Sequence, residues 1–150
     1  MYLDYWNLKE APFQNVADAR FAYLCPQHHE ALARLVYLVQ NRKLGGILTG
    51  PYGVGKTMVL ELLDQEMQKD RETRYVHIDY HPGSPRGLAR QIASMMGIKD
   101  RVMPIEEPGD FLTYLKMESG KIGHTTLIID EAQIIDNPDV YHFLHLLMNL

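Results

Sequence analysis

A chain of 150 residues, 46% hydrophobic and 23% charged, has the size and composition of one soluble globular domain with a single core. A net charge of -4 and a pI of about 5.9 argue against a dedicated polyanion-binding surface, which would concentrate Lys and Arg. The lone Cys25 excludes an internal disulfide framework or thiolate metal cage and fits a reducing cytoplasm.

Along the chain, residues 1–26 form a first segment, in which Tyr2, Tyr5, Trp6, Phe13, Phe21 and Tyr23 alternate with Pro12 and Pro26. This mixture suggests an irregular stretch packed onto a domain that runs from 27 to 150. Asp4 stands where an export signal would carry basic charge, and no run reaches the ~20 apolar residues that span a bilayer, so no membrane segment is expected. From Gln27 to Asn41, the spacing of Ala31, Leu32, Leu35, Leu38 and Val39 predicts an amphipathic helix. Gly46–Thr49 is a short apolar run, read as a strand, that feeds a glycine-rich turn. A helix is then expected to about Lys69.

Arg74–Tyr80 reads as a strand, and Arg86–Met96 as a helix with Leu88, Ile92, Met95 and Met96 inward and Gly97 as its stop. Pro108 opens another helix over Gly109–Lys116. Thr125–Ile129 is a β-branched strand suited to a sheet covered on both faces, and Val140–Leu150 is helical. Strands alternating with helices give an α/β fold, a parallel sheet with helices on both faces.

Gly50-Pro51-Tyr52-Gly53-Val54-Gly55-Lys56-Thr57 satisfies G-x-x-x-x-G-K-[ST] between an expected strand and an expected helix. Glycines allow successive N–H groups to converge on an anion, and the N-terminus of the next helix adds free amides and partial positive charge. The candidate nucleotide-binding set is therefore Gly50, Pro51, Tyr52, Gly53, Val54, Gly55, Lys56, Thr57 and Met58. Lys56 is expected on the β- and γ-phosphates, and Thr57 on Mg2+.

Leu127-Ile128-Ile129-Asp130-Glu131 is an apolar strand that ends in two carboxylates, and in open α/β sheets ligands gather beyond the carboxyl ends of strands. Asp130 is the second candidate magnesium ligand. Glu131, the candidate catalytic residue alongside Lys56, would orient or deprotonate the attacking water. ATP is the expected nucleotide, with GTP the alternative.

Together these residues resemble the AAA+ ATPases of the general secretion pathway protein A (ExeA/GspA) type. The resemblance runs from Met1-Tyr2-Leu3-Asp4-Tyr5-Trp6-Asn7-Leu8-Lys9-Glu10-Ala11-Pro12-Phe13 through Arg20-Phe21-Ala22-Tyr23-Leu24 and His29-Glu30-Ala31-Leu32-Ala33. It continues to the phosphate loop and Asp130-Glu131-Ala132-Gln133. It implies a P-loop AAA+ fold, a cytoplasmic ATPase working with secretion or cell-envelope proteins, and a homo-oligomer formed through the nucleotide interface. It also implies that Phe13 to Tyr23 lie near the adenine and that Gln133 couples the nucleotide to the neighbouring helix. A complete AAA+ module continues past Glu131 to a sensor strand, an arginine finger and a helical lid. These 150 residues, read as truncated before those parts, would leave a gap in the sheet, and efficient turnover is not expected of them alone. A DNA-transposition regulator of the TniB type, for which nucleic acid would be the partner, is the alternative on the same architecture. A nucleotide-gated binding module without turnover is another.

Overall fold

The computed structural model describes residues 2–11, 23–69, 73–79, 83–98 and 104–150. Among these residues, the sheet is made by two short runs. Arg74–Ile78 (β1) and Thr125–Ile129 (β2) pair in parallel, in a register running from Arg74 opposite Thr125 to Ile78 opposite Ile129. Four of the five β2 residues are β-branched (Thr125, Thr126, Ile128 and Ile129), which suits a pleated surface packed from both sides. Parallel strands need a long crossover, here supplied by two helices, Pro85–Met95 (α4) and Pro108–Ile122 (α5).

Alternation along the strands separates two cores. Val76, Ile78, Leu127 and Ile129 face Leu88, Ala89, Ile92 and Ala93 of α4, Phe111 of α5, and Val140 and Phe143 of α6 (Pro138–Met148). On the opposite face, Tyr75 and Ile128 meet Leu32, Leu35, Val36 and Val39 of α2 (Pro26–Gln40), together with Leu63 and Met67 of α3 (Lys56–Met67). A remaining short helix, α1, spans Tyr2–Tyr5. A helix-covered parallel sheet is thus observed, as expected for the α/β class.

Helix boundaries follow local chemistry. Proline occupies the first position of α2, α4, α5 and α6, where its missing N–H has no intrahelical partner to lose. Ser84 Oγ caps α4 by accepting the Gly87 amide at 3.2 Å, and Asn137 caps α6 by accepting that of Asp139 at 2.9 Å. Gly97, at φ 76°, ends α4 as expected, with the Ile98 amide returning to the Ala93 carbonyl at 2.9 Å.

Four details differ from the sequence reading. Met95 is exposed, because the buried arc of α4 is centred between Leu88 and Ala93 and Met95 falls beyond its margin. Helix α5 continues six residues past Lys116, through a stretch with exposed Met117 and a Lys121–Glu118 surface pair that carries no apolar period to mark it. In the N-terminal segment, Tyr5 and Trp6 are exposed and meet each other edge-on, and Tyr23 is exposed too. Residues 12–22 lie outside the described set. Finally, Gly46–Thr49 joins no ladder. The sheet has two strands, neither of which is a hydrogen-bonded neighbour of this run among the described residues, and Ile47 is 89% exposed. Leu38 of α2 lies so close to Gly46 that a Cβ there would overlap its Cδ1.

Candidate functional site

The turn from Gly50 leads directly into α3, whose first residue is Lys56 and whose N-cap is Gly55. Gly53 and Gly55 adopt φ of 78° and 91°, left-handed conformations that a side chain would strain. Lys56 Nζ folds back over the turn and donates to the carbonyls of Gly50 at 3.1 Å and Pro51 at 3.0 Å. Among the described residues, the amides of Gly53, Val54, Gly55, Lys56 and Thr57 meet no protein acceptor. A solvent-exposed loop with free amides, a helix N-terminus and one ammonium group is an anion cradle. Tyr52 stands fully exposed on its rim, and Met58 is half-buried on the first turn of α3.

The sheet brings the acidic strand end to this loop. Hydrogen bonding between the strands continues one step beyond β2, with the Asp130 amide donating to the Ile78 carbonyl at 2.9 Å, so the Asp130 position is fixed by the ladder itself. The hydroxyl of Thr57 donates to Asp130 Oδ2 at 3.2 Å, joining residues 73 apart in sequence. The other carboxylate oxygen, Oδ1, accepts the Glu131 amide at 2.8 Å. Glu131 holds φ 50°, a left-handed conformation unusual for a non-glycine residue, as the chain turns from β2 into a 3-10 turn at Ala132–Ile134. Its carboxylate accepts a hydrogen bond from the Gln133 amide. Of the sequence candidates, Lys56, Thr57 and Asp130 are drawn together at the loop, while Glu131 is adjacent with its carboxylate engaged by Gln133.

Two further connections carry no motif. His28, the third residue of α2, hydrogen-bonds the Val54 carbonyl through Nε2 at 2.7 Å. Behind the loop, Asp64 of α3 bridges to β1, where its Oδ2 lies 2.9 Å from His77 Nδ1, and His77 Nε2 lies 3.3 Å from Asp79. Tyr75 shares this wedge, and its phenol is pushed well above its usual range, first by burial and then by the nearby Asp64 carboxylate. Periodicity marks positions as inward or outward, so it could not distinguish these polar contacts from ordinary helix and strand positions.

A phosphate cradle at a helix N-terminus, facing the carboxyl end of a parallel strand, defines a P-loop nucleotide-binding protein of the α/β class. Within that class, the chain belongs to the AAA domain family, which matches residues 39–150. Over 76 residues, 51% of this chain, it is 36% identical to general secretion pathway protein A of Aeromonas hydrophila, bearing out the resemblance to that type of AAA+ ATPase. The match covers 14% of that protein's length. No solved structure matches this chain. Among the described residues, no helix is long and apolar enough to cross a membrane.

Proposed function

We propose that this chain binds MgATP in the Gly50–Met58 cradle and hydrolyses it in the cytoplasm, and that its nucleotide state drives assembly of a secretion or cell-envelope apparatus. A homo-oligomer formed through the nucleotide interface is part of this reading. The observation that carries it is the Thr57–Asp130 contact at the mouth of a loop with unpaired amides. The secretion context rests on the likeness to general secretion pathway protein A.

The donors at the mouth fit a magnesium ion. Thr57 Oγ1 and Asp130 Oδ2 are hard oxygen ligands 3.2 Å apart, a sparse set suited to an ion that keeps several of its waters. When bound, the ion would neutralise charge on the phosphate oxygens. The protein's own residues divide the remaining work. Lys56 exchanges the Gly50 and Pro51 carbonyls for phosphate oxygens, and the free amides of Gly53 to Thr57 hold the rest of the anion. Glu131 accepts the proton of the attacking water once its carboxylate leaves Gln133.

That Gln133 contact favours a second reading, a nucleotide-gated module in which Glu131 stays engaged and ATP is bound but not turned over. Phosphate release decides between the two. In the hydrolytic reading, Glu131→Gln lowers the rate by about 100-fold or more, the usual contribution of a positioned general base, and MgATP affinity is retained. Equal background rates in wild type and variant, with both still binding MgATP, would overturn turnover and leave the gated module.

A further inference from the structure

We propose that His28 is a positioning residue for the phosphate loop, a clamp from α2 that fixes the direction of the Val54–Gly55 peptide. This rests on the nucleotide reading of the loop given above.

The ring has both nitrogens committed. His28 Nδ1 accepts the Cys25 amide at 3.3 Å, the return bond of a capping arrangement at the start of α2. A carbonyl oxygen can only accept, so Nε2 carries the hydrogen and donates to the Val54 carbonyl at 2.7 Å, which leaves Nδ1 of the neutral ring as the acceptor toward the Cys25 amide and toward Cys25 Sγ, also 3.3 Å away. The loop contact thus fixes the tautomer that the helix cap also uses.

That contact has a geometric consequence. In a planar trans peptide, the carbonyl and the following N–H point in opposite directions. With the Val54 carbonyl held toward α2, the Gly55 N–H is directed away from α2, and this is one of the loop amides without a protein acceptor. Gly55 completes the fit. A Cβ at this position would lie 3.1 Å from His28 Nε2, and its φ of 91° already disfavours a side chain. His28 and Gly55 are therefore complementary, with the ring occupying the space that the glycine leaves open. Helix α2 also packs on α3 through Leu63 and Met67, so the clamp ties the loop to the same helix that supports its downstream end.

Two substitutions separate the clamp from the cap. In His28→Gln, the side-chain amide nitrogen reaches the former Nε2 position and can donate to Val54. In His28→Asn, the shorter side chain reaches only the former Nδ1 position, serving the Cys25 cap and losing the loop. His28→Leu removes both contacts. On the full chain, MgATP titration calorimetry should give the Gln variant an affinity within about threefold of wild type, whereas the Asn and Leu variants bind roughly 3- to 10-fold more weakly, the loss of one hydrogen bond. Thermal melts should rank differently, with Asn above Leu. Wild-type affinity in the Asn variant, or no rescue by Gln, would overturn the clamp and leave only a helix cap.

A readout without nucleotide keeps the two claims distinguishable. Imidazole nitrogen NMR of the free protein should show His28 protonated on Nε2, and the Gly55 amide resonance should move in the Asn and Leu variants but stay near wild type in Gln. A ring protonated on Nδ1, or a Gly55 signal indifferent to all three changes, overturns the clamp. A wild-type chain that shows the expected spectra and binds no MgATP overturns the nucleotide reading instead.

Discussion

The two faces of the sheet differ in kind. Toward α4, α5 and α6, the buried side chains are apolar, with Leu88, Phe111, Ile105 and Val140 at 0–1% exposure, and polar groups such as Tyr114, Arg86 and Arg90 reach it only from the margin. Toward α2 and α3, the cluster against the sheet is smaller, built on Val39, Leu63 and Met67, and a polar wedge of Asp64, Tyr75 and His77 stands beside it. The polar face carries the phosphate loop on α3 and links it to the strands by hydrogen bonds whose direction matters, a better means of setting loop geometry than packing alone.

The contrast can be attacked from either side. The largest effect is expected from Phe111→Ala, which empties a fully buried ring from the apolar core and should cost about 3–5 kcal/mol in denaturant or thermal unfolding. At temperatures where the variant stays folded, its MgATP affinity should match wild type. A large affinity loss would show that the two faces are coupled more closely than their contacts suggest. Next comes Lys56→Ala, on the other face. It should weaken MgATP binding by roughly 10-fold or more, since hydrogen bonds to charged groups contribute about 1.5–3 kcal/mol each. Because the contacts of Lys56 to the loop carbonyls are exposed, the melting curve should barely move. Retained affinity by calorimetry would break the assignment of the loop.

The smallest effect tests the polar wedge. The Tyr75 phenol is raised in the folded protein, so below about pH 10 it is protonated in both states and contributes no pH dependence. Above that, the unfolded chain releases its proton while the folded chain keeps it, and folding is disfavoured by up to about 1.4 kcal/mol per pH unit. Tyr75→Phe should flatten this part of the alkaline stability loss, read as the difference between urea-unfolding curves of the two proteins from pH 9 to 11. Identical slopes would place the phenol in solvent.

Much of this was legible in the residues. The phosphate loop and the strand ending in Asp130 are dictated by backbone chemistry and a strict local order, so their elements appear where the sequence puts them, and β2 spans the expected Thr125–Ile129. The start of α5 was legible through Pro108, and the end of α4 through Gly97. What escaped depends on a third dimension. Gly46–Thr49 has the composition of a strand, but a strand exists only by virtue of a neighbour, and that neighbour is a tertiary fact. Met95 sits at a helical period from Leu88, yet the boundary of the buried arc is drawn by what lies across from it. His28 reads as a polar residue in a first turn, and only the approach of Val54 from 26 residues away gives its ring a task.

The bond between Thr57 and Asp130 also sets an order of events. Its partners are separated by 73 residues, and between them lie both sheet strands and the whole two-helix crossover. During synthesis, the glycine turn leaves the ribosome well before its acidic counterpart, and closing so long a loop depends on the parallel pairing that folds slowly. A half-made chain would therefore present an anion cradle with no carboxylate to complete it. On the proposed reading, metal-dependent nucleotide binding would wait until the sheet has closed.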